Sequence, residues 1–312
     1  MREDRFKKDS KSMGHLLAMA TILIWGTTFI STKVLLRNFA PVEILFFRFL
    51  LGWAALTAFY PHFLKYTSLR QEFTFLCAGI CGVTLYYLLE NIALTFTSAS
   101  NVGVIISTAP FFTIILSRFR EGNREKLHAG FIIGFVTAMA GICLVSCGGS
   151  AGFVLNPAGD LLALAAALVW AVYSLLTKRI SAFGCSTIQT TRRVFFYGLL
   201  CMVPTLFFFD FHMELGRLTD PLSLFNLLFL GLGASACCFV SWNQAVKILG
   251  AVKTSVYIYL VPVITVITSV LVLKEQISGG AAVGILLTLA GLLLSEKKFE
   301  RRKHEKNAES RA

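Results

Sequence analysis

The stretch Leu16–Lys33, LLAMATILIWGTTFISTK, carries no charge before its last residue and returns 145 positions later as Leu161–Lys178, LLALAAALVWAVYSLLTK. Eight of the 18 paired positions are identical, including Trp25/Trp170, Thr32/Thr177 and Lys33/Lys178. About 20 predominantly apolar residues suffice to cross a bilayer as a helix. The stretch therefore reads as a membrane-crossing helix, and as one that occurs twice. Charge-free runs of the same kind follow along the chain: Asn91–Ser117, Leu127–Gly159, Pro221–Val246, Thr254–Leu273 and Gln276–Ser295.

Composition agrees. Of 312 residues, 56% are apolar and 15% charged, whereas soluble domains carry about a quarter charged residues. The net charge of +12 is not spread over a polar surface, as nucleic-acid binding would require. Breaks such as Asn38-Phe39-Ala40-Pro41, Arg120-Glu121-Gly122-Asn123, Gly148-Gly149-Ser150 and Asp220-Pro221 divide the chain into ten predicted helices. These cover 15–36, 42–60, 73–94, 99–118, 128–147, 159–178, 189–209, 222–246, 252–273 and 277–296. The first is read as an uncleaved span rather than a signal peptide, because nine more follow it. Ten is even, so both termini share one side. With the termini inside, 22 of the 29 basic residues fall in inner segments, and four (Lys33, Arg37, Arg217, Lys274) in outer ones. That asymmetry places both termini in the cytoplasm.

The repeat extends beyond the first helix. A shift of 152 lays Asn91–Ser117 on Asn243–Ser269 with nine identities in 27, among them Asn91/Asn243, Ala99/Ala251 and Pro110/Pro262. A shift of 150 lays Glu125–Leu144 on Glu275–Leu294, matching Glu125, Gly130, Gly134 and Gly141. A shift of 145 places Arg48 on Arg193. Leu and Ala matches mean little in apolar sequence; Trp, Lys, Asn, Pro and Gly recurring in order mean more. The expected organisation is an N-terminal tail 1–14, a first repeat 15–147, a linker 148–158, a second repeat 159–296 and a basic tail 297–312. Five helices per repeat is an odd number, so the second enters the membrane inverted. Inverted repeats recur in secondary transporters.

The elements Trp25-Gly26-Thr27-Thr28-Phe29 with Lys33, Pro41…Arg48-Phe49-Leu50, and Asn91-Ile92-Ala93-Leu94…Thr97-Ser98-Ala99-Ser100…Pro110 resemble the first EamA domain of the drug/metabolite transporter superfamily. Trp170…Lys178, Arg193, Asn243…Pro262 and Glu275…Gly284…Gly291 resemble the second. The second half departs from the first at Ala171 for Gly26 and Ser186 for Pro41, so the halves are not equivalent. The resemblance implies an all-α polytopic protein of ten transmembrane helices that exports or imports small metabolites. It also implies a central cavity between the first, third and fourth helices of each half, with the fifth at the periphery.

Within the spans, polarity is sparse. Glu90 is the one carboxylate well inside a predicted span; intramembrane acids often carry protons or bind cations, or else reach an interface or a nearby base. Arg48 and Arg193 read as helix-end anchors, or as a gate pair or a contact for a substrate carboxylate. Lys33 and Lys178 end equivalent helices and read as anchors or charge partners. Asn91 and Asn243 either bond across helices or bind ligand. Pro110 and Pro262 interrupt their helices, as kinks or as the broken helices that line transport sites. Trp25, Tyr86, Tyr87, Trp170, Trp242, Tyr257 and Tyr259 fall on helices expected to line the cavity, although interfacial belts also use Trp and Tyr. Gly130-x-x-x-Gly134 and Gly280-x-x-x-Gly284 allow close packing of the fifth and tenth helices, internally or in a dimer.

The eight cysteines read as small packing residues, and the five histidines lie near helix boundaries. Neither these nor any catalytic triad, phosphate loop or carboxylate pair points to an enzyme, a metal or a cofactor. The expectation is a non-enzymatic carrier in the bacterial cytoplasmic membrane, monomeric or homodimeric, without nucleic acid. It would move amino acids or related amphipathic metabolites, with efflux favoured and protons as a coupling ion. A lipid or lipid-linked sugar carrier is the alternative within the class; an intramembrane enzyme and a passive channel lie outside it.

Overall fold

The computed structural model describes residues 2–66, 68–120, 129–147, 156–209, 211–212, 215–291 and 293–294. The basic tail 297–312, most of the linker and Glu125 lie outside them. Among the described residues all regular structure is helical. The helices are α1 (Arg2–Leu35), α2 (Pro41–Phe59), α3 (Leu69–Phe96), α4 (Ala99–Phe119), α5 (Ala129–Cys147), α6 (Pro157–Ser181), α7 (Thr187–Phe208), α8 (Pro221–Leu249), α9 (Ala251–Leu273) and α10 (Gly279–Gly291). Eight of them are long and apolar enough to cross a membrane; α5 and α10 contribute shorter apolar stretches, Ile132–Ile142 and Gly279–Gly291. Large apolar side chains face outward, with Phe59 90% exposed and Phe208 84%, as befits a surface solvated by lipid rather than water. The molecule is a polytopic membrane protein.

Helix starts follow local chemistry. Pro41, Pro157 and Pro221 each open a helix at its first turn, where a missing N–H costs nothing. The Ala40 N–H donates to the Glu43 carboxylate at 2.7 Å, and the Asp220 carboxylate accepts from the Ser223 N–H at 3.0 Å. Those Ser223 bonds hold the Asp220 carboxyl below the usual carboxylate range. At the N-terminus, α1 runs back to Arg2 through residues expected to form a tail. No proline interrupts that segment and Gly14 is its one glycine, while Lys, Arg and Glu favour helix.

The packing repeats with a step of five helices. α1 packs on α8 and α9, as α6 packs on α3 and α4; α2 packs on α8, as α7 packs on α3. α5 crosses α10 where glycines allow backbones to touch: a Cβ on Gly141 would lie 2.5 Å from the Thr288 nitrogen, and one on Gly291 2.5 Å from the Gly134 carbonyl.

These contacts also set the repeat register. A Cβ on Gly79 (α3) would meet the Gly198 backbone (α7), and one on Gly52 (α2) would meet the Gly231 carbonyl (α8). Gly79 and Gly231 differ by the 152 positions that relate α3 to α8, so Gly52 and Gly198 are equivalent, 146 apart. The rings of Phe49 and Phe195, also 146 apart, meet edge-to-face at 5.0 Å between centroids. Arg48 therefore corresponds to Val194, one residue away from the Arg193 that an ungapped shift of 145 would select.

Two helices of each half deviate alike. The third contains a wide π turn, Ile80–Leu85 in α3 and Phe229–Cys237 in α8. The fourth is broken before its proline: by a turn at Ser107-Thr108 in α4, and by the 3-10 segment Val256–Leu260 in α9. Pro110 and Pro262 restart the helix.

Candidate functional site

The centre of the molecule is aromatic. Trp25 from α1 meets Trp170 from α6 at 5.2 Å and Trp242 from α8 at 5.1 Å between centroids. Tyr86 packs on Trp170 at 4.8 Å and on Tyr87 at 4.6 Å; Phe239 touches Trp25, Trp170 and Tyr87. Such tilted and edge-on pairs add roughly 0.5–1.5 kcal/mol each beyond area burial. The α8 π turn takes part directly: its Ala234 carbonyl accepts the Trp25 indole N–H at 2.9 Å. In α3 the corresponding turn brings Gly82 against Tyr173, where a Cβ would collide with the ring.

Two opposite charges border this cluster. Arg48 is fully buried; its Nε donates to Ser235 Oγ at 3.1 Å and its guanidinium lies 4.2 Å from the Tyr87 ring centroid. Glu90 is 1% exposed and has Tyr86 and Arg48 as its polar neighbours. No Arg48 nitrogen lies within 4.0 Å of a Glu90 oxygen. Both Arg48 Nη atoms, Glu90 Oε1 and Trp242 Nε1 are buried without a hydrogen-bond partner among the described residues. Counting along their helices, Arg48 sits roughly 10 Å and Glu90 roughly 9 Å from the Pro41 and Phe96 ends at 1.5 Å per residue. Arg48 is thus an interior residue, not a helix-end anchor.

A second polar assembly holds the hairpin between α3 and α4. Lys33 Nζ donates to the Leu94 carbonyl and, at 2.8 Å, to that of Thr97, at the end of α3. The Glu275 carboxylate accepts from Ala99 N–H at 3.1 Å and Ser100 Oγ–H at 2.6 Å, at the start of α4. A cation on a carbonyl end and an anion on an amide end both complement the helix dipoles. Asn156 and Asp160 add bonds to the Phe96 carbonyl and the Asn101 amide. Beside them lies a cavity of about 410 Å³ lined by Lys33, Leu36, Arg37, Leu94, Leu273 and Glu275, among others. A separate pocket of about 20 Å³ is lined by Thr177, Thr190, Asn243 and Lys247, among others. Lys178, the equivalent of Lys33, is exposed.

Trp25, Tyr86, Tyr87, Glu90, Trp170 and Trp242 are thus brought together, with Arg48. Asn91 and Asn243 instead tie helices: Asn91 Nδ2 donates to the Pro41 carbonyl at 3.0 Å, and Asn243 bridges Thr191 and Tyr173 at 3.0 and 2.9 Å. Arg193 pairs with Glu72 at 3.3 Å near the start of α3 and donates to the Leu64 carbonyl. Tyr257 bonds His15 at 2.6 Å, and Tyr259 packs with Phe111, Ile114 and Ala138; both stand apart from the central cluster. The 3-10 segment that holds them, at three residues per turn, rotates them away from the phase an α-helix would give. Ser235, Tyr173 and Phe239 were not singled out by sequence, and Ser100 stood there only as a motif residue. Glu275 was visible as a repeat match and as a motif residue, without a role.

The chain matches the EamA-like transporter family twice, over residues 12–147 and 157–296, and it belongs to that family. It is 30% identical over 293 residues to an uncharacterized transporter of Archaeoglobus fulgidus, covering 92% of this chain and 98% of that one. It is 26% identical to a probable terminal-alkyne amino-acid exporter of Streptantibioticus cattleyicolor, covering 93% and 96%. To a probable amino-acid metabolite efflux pump of Escherichia coli it is 25% identical, covering 90% and 93%.

Proposed function

From its place in that family, we propose that the protein exports amino acids or related amphipathic metabolites across the cytoplasmic membrane by alternating access. Ten spans form two inverted five-helix repeats, 15–147 and 159–296, joined by 148–158, with both terminal tails in the cytoplasm. The observation that carries this reading is the five-helix step in the packing, with α1 on α8 and α9 as α6 is on α3 and α4. One unit used twice supplies parts for an opening at either end. The unequal ends support it further: the α3–α4 hairpin is held by Lys33 and Glu275, while Lys178 stands exposed. The names of two relatives favour amino acids and export.

Protons are the coupling ion in this reading and Glu90 their carrier, because it is the carboxylate buried beside the aromatic centre. Counterflow in proteoliposomes tests the carrier: labelled amino acid should accumulate transiently against unlabelled amino acid inside. Steady equilibration without overshoot would mean a channel. Coupling is read separately, as gradient-driven accumulation, which Glu90→Gln should abolish while leaving exchange measurable.

A further inference from the structure

We infer that Arg48 and Glu90 are the two poles of a recognition site for a zwitterion, Arg48 taking the solute's carboxylate and Glu90 its ammonium. The inference rests on the transporter reading above and names the chemistry of the solute.

Buried charges are costly unless they are paired and hydrogen-bonded. Here both are buried to 1% exposure or less, on neighbouring helices at similar depth, yet no Arg48 nitrogen comes within 4.0 Å of Glu90. Both Arg48 Nη atoms and Glu90 Oε1 are left without partners among the described residues. The arginine is nonetheless held in place, by Nε on Ser235 Oγ and by its face over Tyr87. That arrangement leaves the Nη groups of a planar fork unpaired, and such a fork suits a carboxylate. Glu90, an acceptor only when ionised, suits an ammonium. Trp25, Tyr86, Trp170 and Trp242 supply apolar faces for the rest of the solute, and the unpartnered Trp242 indole N–H is a further donor.

The repeat supplies a control. Under the register set by Gly52 and Gly198, Arg48 corresponds to Val194, and Glu90 corresponds to Trp242, 152 residues on. The same two positions in the second half therefore carry no charge. The fold has no need of two charges here, and a purely structural ion pair would close to contact distance.

The test is counterflow of labelled L-phenylalanine by the full-length protein in proteoliposomes, with three unlabelled competitors. These are L-phenylalanine, its methyl ester (ammonium without carboxylate) and 3-phenylpropionate (carboxylate without ammonium). Wild-type protein should prefer L-phenylalanine to either analogue by more than about tenfold, since each lost charge-assisted contact is worth roughly 1.5–3 kcal/mol. Arg48→Gln should erase the preference over the ester and keep that over 3-phenylpropionate; Glu90→Gln should do the reverse. Arg48→Lys, which keeps the cation but loses the fork, should restore part of the first preference and so separates recognition from folding. Equal competition by all three solutes in wild-type protein overturns the inference, as does loss of both preferences together in either variant. Absence of counterflow in wild-type protein with any of the 20 common amino acids overturns the transporter reading itself, a distinct outcome.

Discussion

The hairpin Phe96–Ala99 and the hairpin Leu249–Ala251 join the third helix to the fourth in their respective halves, yet they are secured differently. The first is clamped from both sides, Lys33 on the last carbonyls of α3 and Glu275 on the first amides of α4. The second closes on its own backbone: Gly250 adopts φ +89 and donates to the Val246 carbonyl at 2.9 Å. The equivalent lysine, Lys178, is exposed and bonds no carbonyl among the described residues; the equivalent of Glu275, Glu125, lies outside them. Lys33 and Lys178, equivalent by sequence, are thus placed differently, one on the carbonyls of its hairpin and the other exposed. Under alternating access, the two should trade places.

The sharpest way to break this comparison is to disarm the engaged copy. Lys33→Ala removes the charge from the α3 terminus, and transport in counterflow should fall by at least tenfold. In the same background, Leu36→Cys in the 410 Å³ cavity should react faster with a membrane-impermeant thiol reagent added outside. Unchanged labelling would mean that the lysine anchors and does not gate. Next in size is Gly82→Ala. The second half already carries a Cβ at the equivalent Ala234, but at Gly82 it would collide with Tyr173. Overpacking of this kind costs about 1–3 kcal/mol, visible as a lower midpoint of thermal unfolding in detergent. Smallest is Lys178→Ala, which touches no bond in this conformation and should change stability by less than about 0.5 kcal/mol. Its effect should appear only in transport rate; a large drop in melting midpoint would contradict the asymmetry.

Much of this was legible in the chain, for reasons that can be named. Charge-free runs between Pro, Gly and charged breaks mark helices, because unpaired charge is excluded from lipid. The duplicated Trp25/Trp170 and Asn91/Asn243 expose the repeat, and Trp25, Tyr86, Tyr87, Glu90, Trp170 and Trp242 do converge. The register of α2 on α7 was not legible. Between two apolar helices a slip of one residue changes few identities, and the doublet Arg192-Arg193 offers a false match for Arg48. Only the backbone contacts of Gly52 and Gly198 settle it. Nor did sequence reveal the burial of Arg48, since residues seven positions into a helix can still reach an interface. The phase change that carries Tyr257 and Tyr259 off the central cluster comes from a 3-10 segment with no distinctive composition.

The two π turns also bear on what the halves share. Each is an α-helix carrying surplus backbone, and π turns are rare. They end at Leu85 and Cys237, positions related by the same 152 residues that relate Asn91 to Asn243. The third helix of each half carries its wide turn up to the same register position. The irregularity is thus common to both halves, whereas Arg48 and Glu90 stand in one half and Val194 and Trp242 in the other.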